Sequence, residues 1–192
     1  MRVLGAILAG GRSSRFGSDK ALALIDGRPM LDHVAGQLAR QCDNLVVIGR
    51  DWPGMVRVDD RPGPGLGPLG GFAGALAHAR DHGFDAVLTS SCDLPALPGN
   101  LLDLLSAPDA LLRRQPTIGL WASAHADALA AYLRSGAPRS VRAWADTIKA
   151  STIAWGEELA NINTPEDLAA FNGQSRGQPA GVNPPERPRS SR

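Results

Sequence analysis

Cysteine is scarce: the 192 residues hold two, Cys42 and Cys92, with no metal-ligand spacing. That argues against a disulfide framework and fits reduced thiols in a cytoplasmic protein. No apolar run is long enough to span a bilayer, and the first residues lack the layout of a signal peptide, so no membrane association is expected. A strong charge of either sign is missing as well. The net charge is +1. Four arginines against one glutamate put +3 on residues 174–192, which leaves −2 on the rest. A weakly acidic body argues against nucleic-acid binding. There is no G-x-S-x-G elbow, and the four histidines fall in expected helices or loops, so the parts of a covalent hydrolase are lacking. No internal repeat is visible.

What the chain does have is 43% hydrophobic residues, enough for one substantial core. Apolar runs at Val3-Leu4-Gly5-Ala6-Ile7-Leu8, Leu45-Val46-Val47-Ile48, Val56-Arg57-Val58 and Ala86-Val87-Leu88-Thr89 read as strands. Further strands are expected over 110–114, 116–121 and 151–155. Asp26-Gly27 is a turn signal. A helix is expected over 29–40, with Pro29 in its first turn and Leu31, Val34 and Leu38 on one stripe. Others are expected over 72–79, 101–106, 124–133 and 139–145. The last starts at Pro165 behind the N-cap Thr164, with an acidic residue three on, and ends near 172–173. Strands alternating with helices imply a three-layer α/β/α sandwich around a mostly parallel, Rossmann-like sheet. Residues 1–173 are expected to form one domain. Residues 174–192, rich in Pro, Ser, Gly and Arg with little to bury, are expected to be a disordered tail.

The chemistry concentrates at strand ends. The first strand runs into Ala9-Gly10-Gly11-Arg12-Ser13-Ser14-Arg15-Phe16-Gly17-Ser18-Asp19-Lys20. Glycines let backbone N–H groups approach a ligand, and Arg12, Arg15 and Lys20 add positive charge, which suits a triphosphate. This is not a P-loop, because Gly17 is followed by Ser18-Asp19-Lys20-Ala21. The Pro/Gly run over 61–71 is expected to be wholly loop. Gly65, Gly67 and Gly70 match G-x-G-x-x-G, but only as chance in a glycine-rich tract, since no apolar strand directly precedes it. The helix after it could turn its N–H groups to an anion. Asp59-Asp60 follow the third strand, and Asp93 follows the strand over 86–89, where a carboxylate enters the ligand crevice of an open α/β sheet. The three segments should converge on one sheet edge. The suited reaction is in-line displacement at phosphorus, with cations neutralising the phosphates and Asp93 holding Mg²⁺.

Four segments in order are similar to the molybdenum cofactor guanylyltransferases. They are the opening loop, Gly67-Pro68-Leu69-Gly70-Gly71, Ser91-Cys92-Asp93-Leu94-Pro95, and Asn161-Ile162-Asn163-Thr164-Pro165-Glu166-Asp167-Leu168. The resemblance covers about residues 1–173. It implies a nucleotide-diphospho-sugar transferase-like fold and transfer of GMP from Mg-GTP to the terminal phosphate of molybdopterin, releasing pyrophosphate. It implies Leu8, Ala9, Gly10, Gly11, Lys20 and Asp60 as nucleotide contacts, and Arg15, Lys20 and Asp93 as the catalytic set. Asp93 is the implied magnesium ligand, and Asn161 and Asn163 lie near the pterin. The implied partners are GTP and molybdopterin, with molybdoenzyme apoproteins or their chaperones downstream. Two departures stand out. Gly49-Arg50 follows the second strand, where the family often has an asparagine, and Gln115 replaces a usual histidine. The alternatives are a cytidylyltransferase for the same cofactor, a sugar nucleotidyltransferase, an NAD-binding oxidoreductase, or a nucleotide-sensing module without turnover. Gly10 favours the guanylyl branch, since the cytidylyl branch more usually carries alanine there.

Overall fold

The computed structural model describes residues 1–10, Phe16, 19–156 and 158–175. Nine strands and six α-helices alternate along them. The strands are β1 (Val3–Leu8), β2 (Leu24–Ile25), β3 (Arg28–Pro29), β4 (Asn44–Ile48), β5 (Val56–Val58), β6 (Ala86–Ser91), β7 (Ala110–Leu112), β8 (Gly119–Ala122) and β9 (Ser151–Ile153). The helices are α1 (Met30–Leu38), α2 (Pro68–Asp81), α3 (Leu101–Leu105), α4 (Ala126–Arg134), α5 (Val141–Thr147) and α6 (Pro165–Ser175). Seven strands form one sheet in the order β5-β4-β1-β6-β8-β7-β9, and β2 and β3 form a separate hairpin. That hairpin turns at Asp26 (φ 48°) and Gly27 (φ 78°), two successive positive φ values that suit a tight two-residue turn.

Alternation along the central strands builds the three layers. On β1, Leu4 and Ala6 face α2, α4 and α5 in one core, while Val3 and Ile7 face α1 and α3 in the other. Val46 and Ile48 divide from Val47 in the same way on β4, as does Val87 from Leu88 on β6. Trp121 and Trp144 fill the first core, and Leu31, Leu38 and Leu101 the second. Each such side chain stabilises the fold by roughly 1.5–3 kcal/mol relative to exposure. A third small cluster, with Ile25, Met30 and Ile162, joins the hairpin, the start of α1 and the segment before α6.

Strands β5, β4, β1 and β6 run parallel, and their register is level. Leu8 pairs with Ile48 on one side and with Ser91 on the other, and Ile48 pairs with Val58. The residues after these strands therefore emerge together on one edge. Strand β8 runs antiparallel to both β6 and β7, so the sheet is mostly parallel, with a reversal on one side.

The tract over 61–71 departs from expectation. Its last four residues, Pro68 to Gly71, open α2 instead of ending a loop. Proline is tolerated in a first helical turn, and the glycines are required by packing. A Cβ at Gly71 would lie 2.6 Å from Leu8 Cδ2, and one at Gly74 only 2.2 Å from the Asp59 carbonyl oxygen. Helix α2 thus lies so close to the ends of β1 and β5 that a side chain cannot intervene. Residues 59–64 separate β5 from Gly65, so the 65–70 glycines do not make the tight strand-to-helix turn of a dinucleotide site.

Smaller differences have local causes. Pro29 belongs to β3, and α1 starts at Met30. The expected strand over 116–121 begins only at Gly119, because Ile118 N–H closes a turn onto the Gln115 carbonyl at 2.9 Å. The strands expected over 110–114 and 151–155 end at Leu112 and Ile153. Ser140 caps α5 through Ala143 N–H at 3.1 Å, which starts that helix at Val141. Thr164 Oγ1 caps Asp167 N–H at 3.1 Å, and the Asp167 carboxylate accepts from Thr164 N–H at 2.9 Å, a reciprocal capping box. Helix α6 runs on to Ser175, and residues 176–192 of the expected tail lie outside the described residues.

Candidate active site

The level ends of β1, β4, β5 and β6 open onto a cleft of about 1060 Å³. Leu8, Ala9 and Gly10 line it from β1, Asp60 from β5, Asp93 from β6, and Lys20 from the turn after the opening loop. Gly67 and Pro68 bring the N-terminus of α2 to the same cleft without a side-chain cap, a place whose dipole favours an anion. Gln115, Thr117 and Asn161 also line it. Gly11 and Arg15 fall outside the described residues.

Two backbone contacts shape the floor. The Gly10 and Gly49 loops touch: Gly49 has φ +80°, and a Cβ there would sit 2.9 Å from Gly10 Cα. No side chain fits at that place, so the asparagine contact frequent in the resembled family has no counterpart at 49. Cys92 N–H donates to the Leu8 carbonyl at 3.0 Å and ties the two strand ends together.

Lys20 and Asp93 form the electrostatic centre. Lys20 Nζ lies 3.0 Å from Asp93 Oδ2, with the two side chains 11% and 22% exposed. Ser91 Oγ donates to the other oxygen, Asp93 Oδ1. Lys20 Nζ also donates to Asn163 Oδ1 at 2.8 Å. Asn163, expected near the pterin, is thus placed against the lysine, whereas Asn161 lines the cleft itself.

Sequence reading passed over Arg50 and Asp19 as site residues. Both terminal nitrogens of the Arg50 guanidinium donate to the Asp19 carboxylate, Nη1 to Oδ1 at 2.7 Å and Nη2 to Oδ2. Asp19 in turn caps the 3₁₀ turn Lys20–Leu22 through Ala21 N–H. Hydrogen bonds from Arg50 hold the Asp19 carboxyl below its ordinary range, against an opposing push from burial. The guanidinium also lies 5.4 Å from the Trp52 ring centroid, in cation–π range. The only signal in the sequence was the Asp19-Lys20 pair itself. Its partner lies 31 residues on.

Asp60 sits where α2 begins. Burial, with Asp59 adding repulsion, holds its carboxyl above the ordinary aspartate range. Burial pushes the Cys92 thiol up to about 12, with Asp93 adding to the shift, so the thiol stays neutral and is no nucleophile.

The donor set suits a hard divalent cation. Among the described residues no three His, Cys, Asp or Glu side chains come together, which rules out a protein-only cage there. One strand-end carboxylate beside a polyphosphate cleft is the arrangement Mg²⁺ accepts, completing its shell with phosphate oxygens and water. Asp93 fits that role.

A second cavity of about 170 Å³ adjoins the cleft, sharing Gln115 with it. Leu112, Arg114, Trp155, Glu158 and Leu159 complete its lining.

Level strand ends, a cation paired to a carboxylate and an uncapped helix N-terminus on one cleft suit a phosphate-bearing ligand. Comparison with known proteins gives the class, a nucleotidyltransferase. The MobA-like NTP transferase domain matches residues 5–150, and the chain belongs to that family. It is 36% identical to a molybdenum cofactor guanylyltransferase of Cereibacter sphaeroides, over 88% of this chain and 95% of the relative. It is 33% identical to one of Rhodobacter capsulatus, over 88% and 94%. The fold is similar to that of molybdopterin-guanine dinucleotide biosynthesis protein A from Archaeoglobus fulgidus. That pair has a TM-score of 0.70 at 20% identity, over 91% of this chain and all of the other.

Proposed function

We propose that this protein transfers GMP from Mg-GTP to the terminal phosphate of molybdopterin, forming molybdopterin guanine dinucleotide and pyrophosphate. The observation that carries the reading is the Lys20–Asp93 pair at the head of the strand-end cleft, in a chain whose relatives are named for this activity. An oxygen of the acceptor phosphate attacks the α-phosphorus of GTP. The bond from that phosphorus to the β-bridging oxygen breaks, and pyrophosphate leaves with the electron pair. No enzyme nucleophile is needed, because positioning and electrostatics carry the reaction.

The roles proposed for the residues follow from their places. Leu8, Ala9, Gly10 and Gly11 bring backbone to the nucleotide, and Asp60 meets it from the end of β5. Lys20 and Arg15 neutralise the charge that builds on the phosphates. Asp93 would hold the metal, which would supply charge neutralisation at the phosphates. The acceptor enters from the side of Asn161 and Gln115, where the smaller cavity with Trp155, Arg114 and Glu158 offers an aromatic face and both signs of charge. We assign Mg²⁺ as the metal and the cytoplasm as the compartment, consistent with two free cysteines and with no described helix being long and apolar enough to cross a membrane. Residues 174–192 are taken as a dispensable tail.

The test is incubation of the purified protein with Mg-GTP and molybdopterin, assaying both pyrophosphate and the dinucleotide. Stoichiometric appearance of the two supports the reading. Pyrophosphate without dinucleotide, or neither, overturns it.

A further inference from the structure

We infer that Asn163 is a positioning residue for Lys20: it holds the lysine ammonium over Asp93 and aims it at the triphosphate. The inference rests on the guanylyl-transfer reading above and concerns how that site is kept in order. A lysine ammonium has three donors and no acceptor. One goes to Asp93 Oδ2 at 3.0 Å and one to Asn163 Oδ1 at 2.8 Å, which leaves one for a phosphate oxygen. Because Lys20 only donates, the amide must turn its oxygen to it, and this sets the orientation of Asn163.

The chemistry explains why an amide suits this place. When Asp93 engages a cation, its carboxylate no longer offers the lysine a full negative partner. A second acceptor is then needed to stop a flexible four-carbon side chain from swinging away. A carboxylate at 163 would hold Lys20 but would set another negative charge beside the triphosphate. A neutral amide oxygen holds the lysine without that repulsion.

Asn163 is itself fixed from both sides. The preceding Ile162 is fully buried, and its N–H donates to the Asp93 carbonyl at 3.0 Å. The Asn163 and Thr164 N–H groups both donate to Asp167 Oδ2, at 2.8 and 2.9 Å. Those bonds hold the Asp167 carboxyl below its ordinary range. The segment before α6 is therefore stitched to the end of β6 and to its own helix, and its one free arm reaches Lys20 across 143 residues of sequence.

A double-mutant cycle on the full chain reads this directly. Mg-GTP binding is titrated without molybdopterin for wild type, Asn163→Ala, Lys20→Met and the double variant. A positioning role predicts about five- to tenfold weaker GTP binding in Asn163→Ala. It also predicts no further loss when the change is made in the Lys20→Met background. In turnover, kcat should fall while the KM for molybdopterin stays within about twofold. Three results overturn the inference. They are unchanged GTP affinity with a raised molybdopterin KM, which makes Asn163 an acceptor contact; equal losses in both backgrounds, which makes it a structural residue; and no detectable GTP binding by wild type. The last also sinks the functional reading, whereas wild-type binding without coupling sinks this inference alone.

Discussion

The sheet has two halves that present ligand groups in different ways. On one side, β5, β4, β1 and β6 run parallel with level ends, and the backbone after each strand forms the cleft. On the other, β8 reverses direction, and the residues near Gln115 and Trp155 come from turns after short strands. The parallel half is closed by direct contact: α2 lies against it without room for a methyl group at Gly74. The reversed half is tied by side chains, as where Asp109 accepts from Ala122 N–H at 2.9 Å and pairs with His125 at 2.7 Å. A preorganised phosphate site benefits from strand ends and backbone that do not move. The smaller cavity on the reversed side is lined from such turns, whose side chains can change without moving the parallel strand ends.

This contrast can be broken or sharpened by mutation. Asp93→Asn should lower metal-dependent turnover by on the order of a hundredfold or more while leaving the fold intact. Near-wild-type turnover by the folded variant would remove Asp93 from the metal role. A paired test addresses packing. Gly74→Ala puts a Cβ 2.2 Å from the Asp59 carbonyl and should destabilise by about 1–3 kcal/mol. Gly36→Ala, inside α1 with open space around it, should stabilise by roughly 0.5–1 kcal/mol. Denaturant melts of the two variants should therefore shift in opposite directions, and equal shifts would contradict the close contact of α2. Lys20→Ala should weaken GTP binding about tenfold, whereas Arg28→Ala, an exposed change on β3, should hardly alter it. Equal effects in a titration would mean diffuse charge instead of a sited cation.

The smallest effect concerns Asp60. Burial holds its carboxyl above the ordinary aspartate value. The folded protein therefore keeps that proton at pH values where the unfolded chain has released it. Stability from this group is fully present below the unfolded value and declines as pH rises through the raised one. Asp60→Asn should melt slightly higher than wild type above that window, show a flatter acid-range profile, and bind GTP less well. A variant that melts lower at neutral pH would reverse the sign argued here.

Much of the parallel half was legible as sequence, because buried strands such as Val3–Leu8 are continuous apolar runs and Asp93 directly follows one. The family resemblance then pointed to Lys20 and Asp60, which the structure places on the same cleft. The start of α2 was hidden, since Pro68, Gly70 and Gly71 read as breakers and only the neighbouring β1 and β5 ends require them. The direction of β8 was hidden too: 119–122 shows a strand pattern, but direction depends on how the chain returns. Arg50 and Asn163 reach their partners across 31 and 143 residues, and no local spacing encodes such a pairing.

The nucleotide base tests the account most directly. Guanine presents an O6 acceptor and N1 and N2 donors, and a buried site matched to that edge leaves polar groups unpaired when cytosine enters. Steady-state kinetics with molybdopterin as acceptor should give a kcat/KM for Mg-GTP exceeding that for Mg-CTP by up to roughly 10⁴-fold. CTP used as well as GTP or better, with the cytosine dinucleotide as product, would contradict the guanylyltransferase assignment.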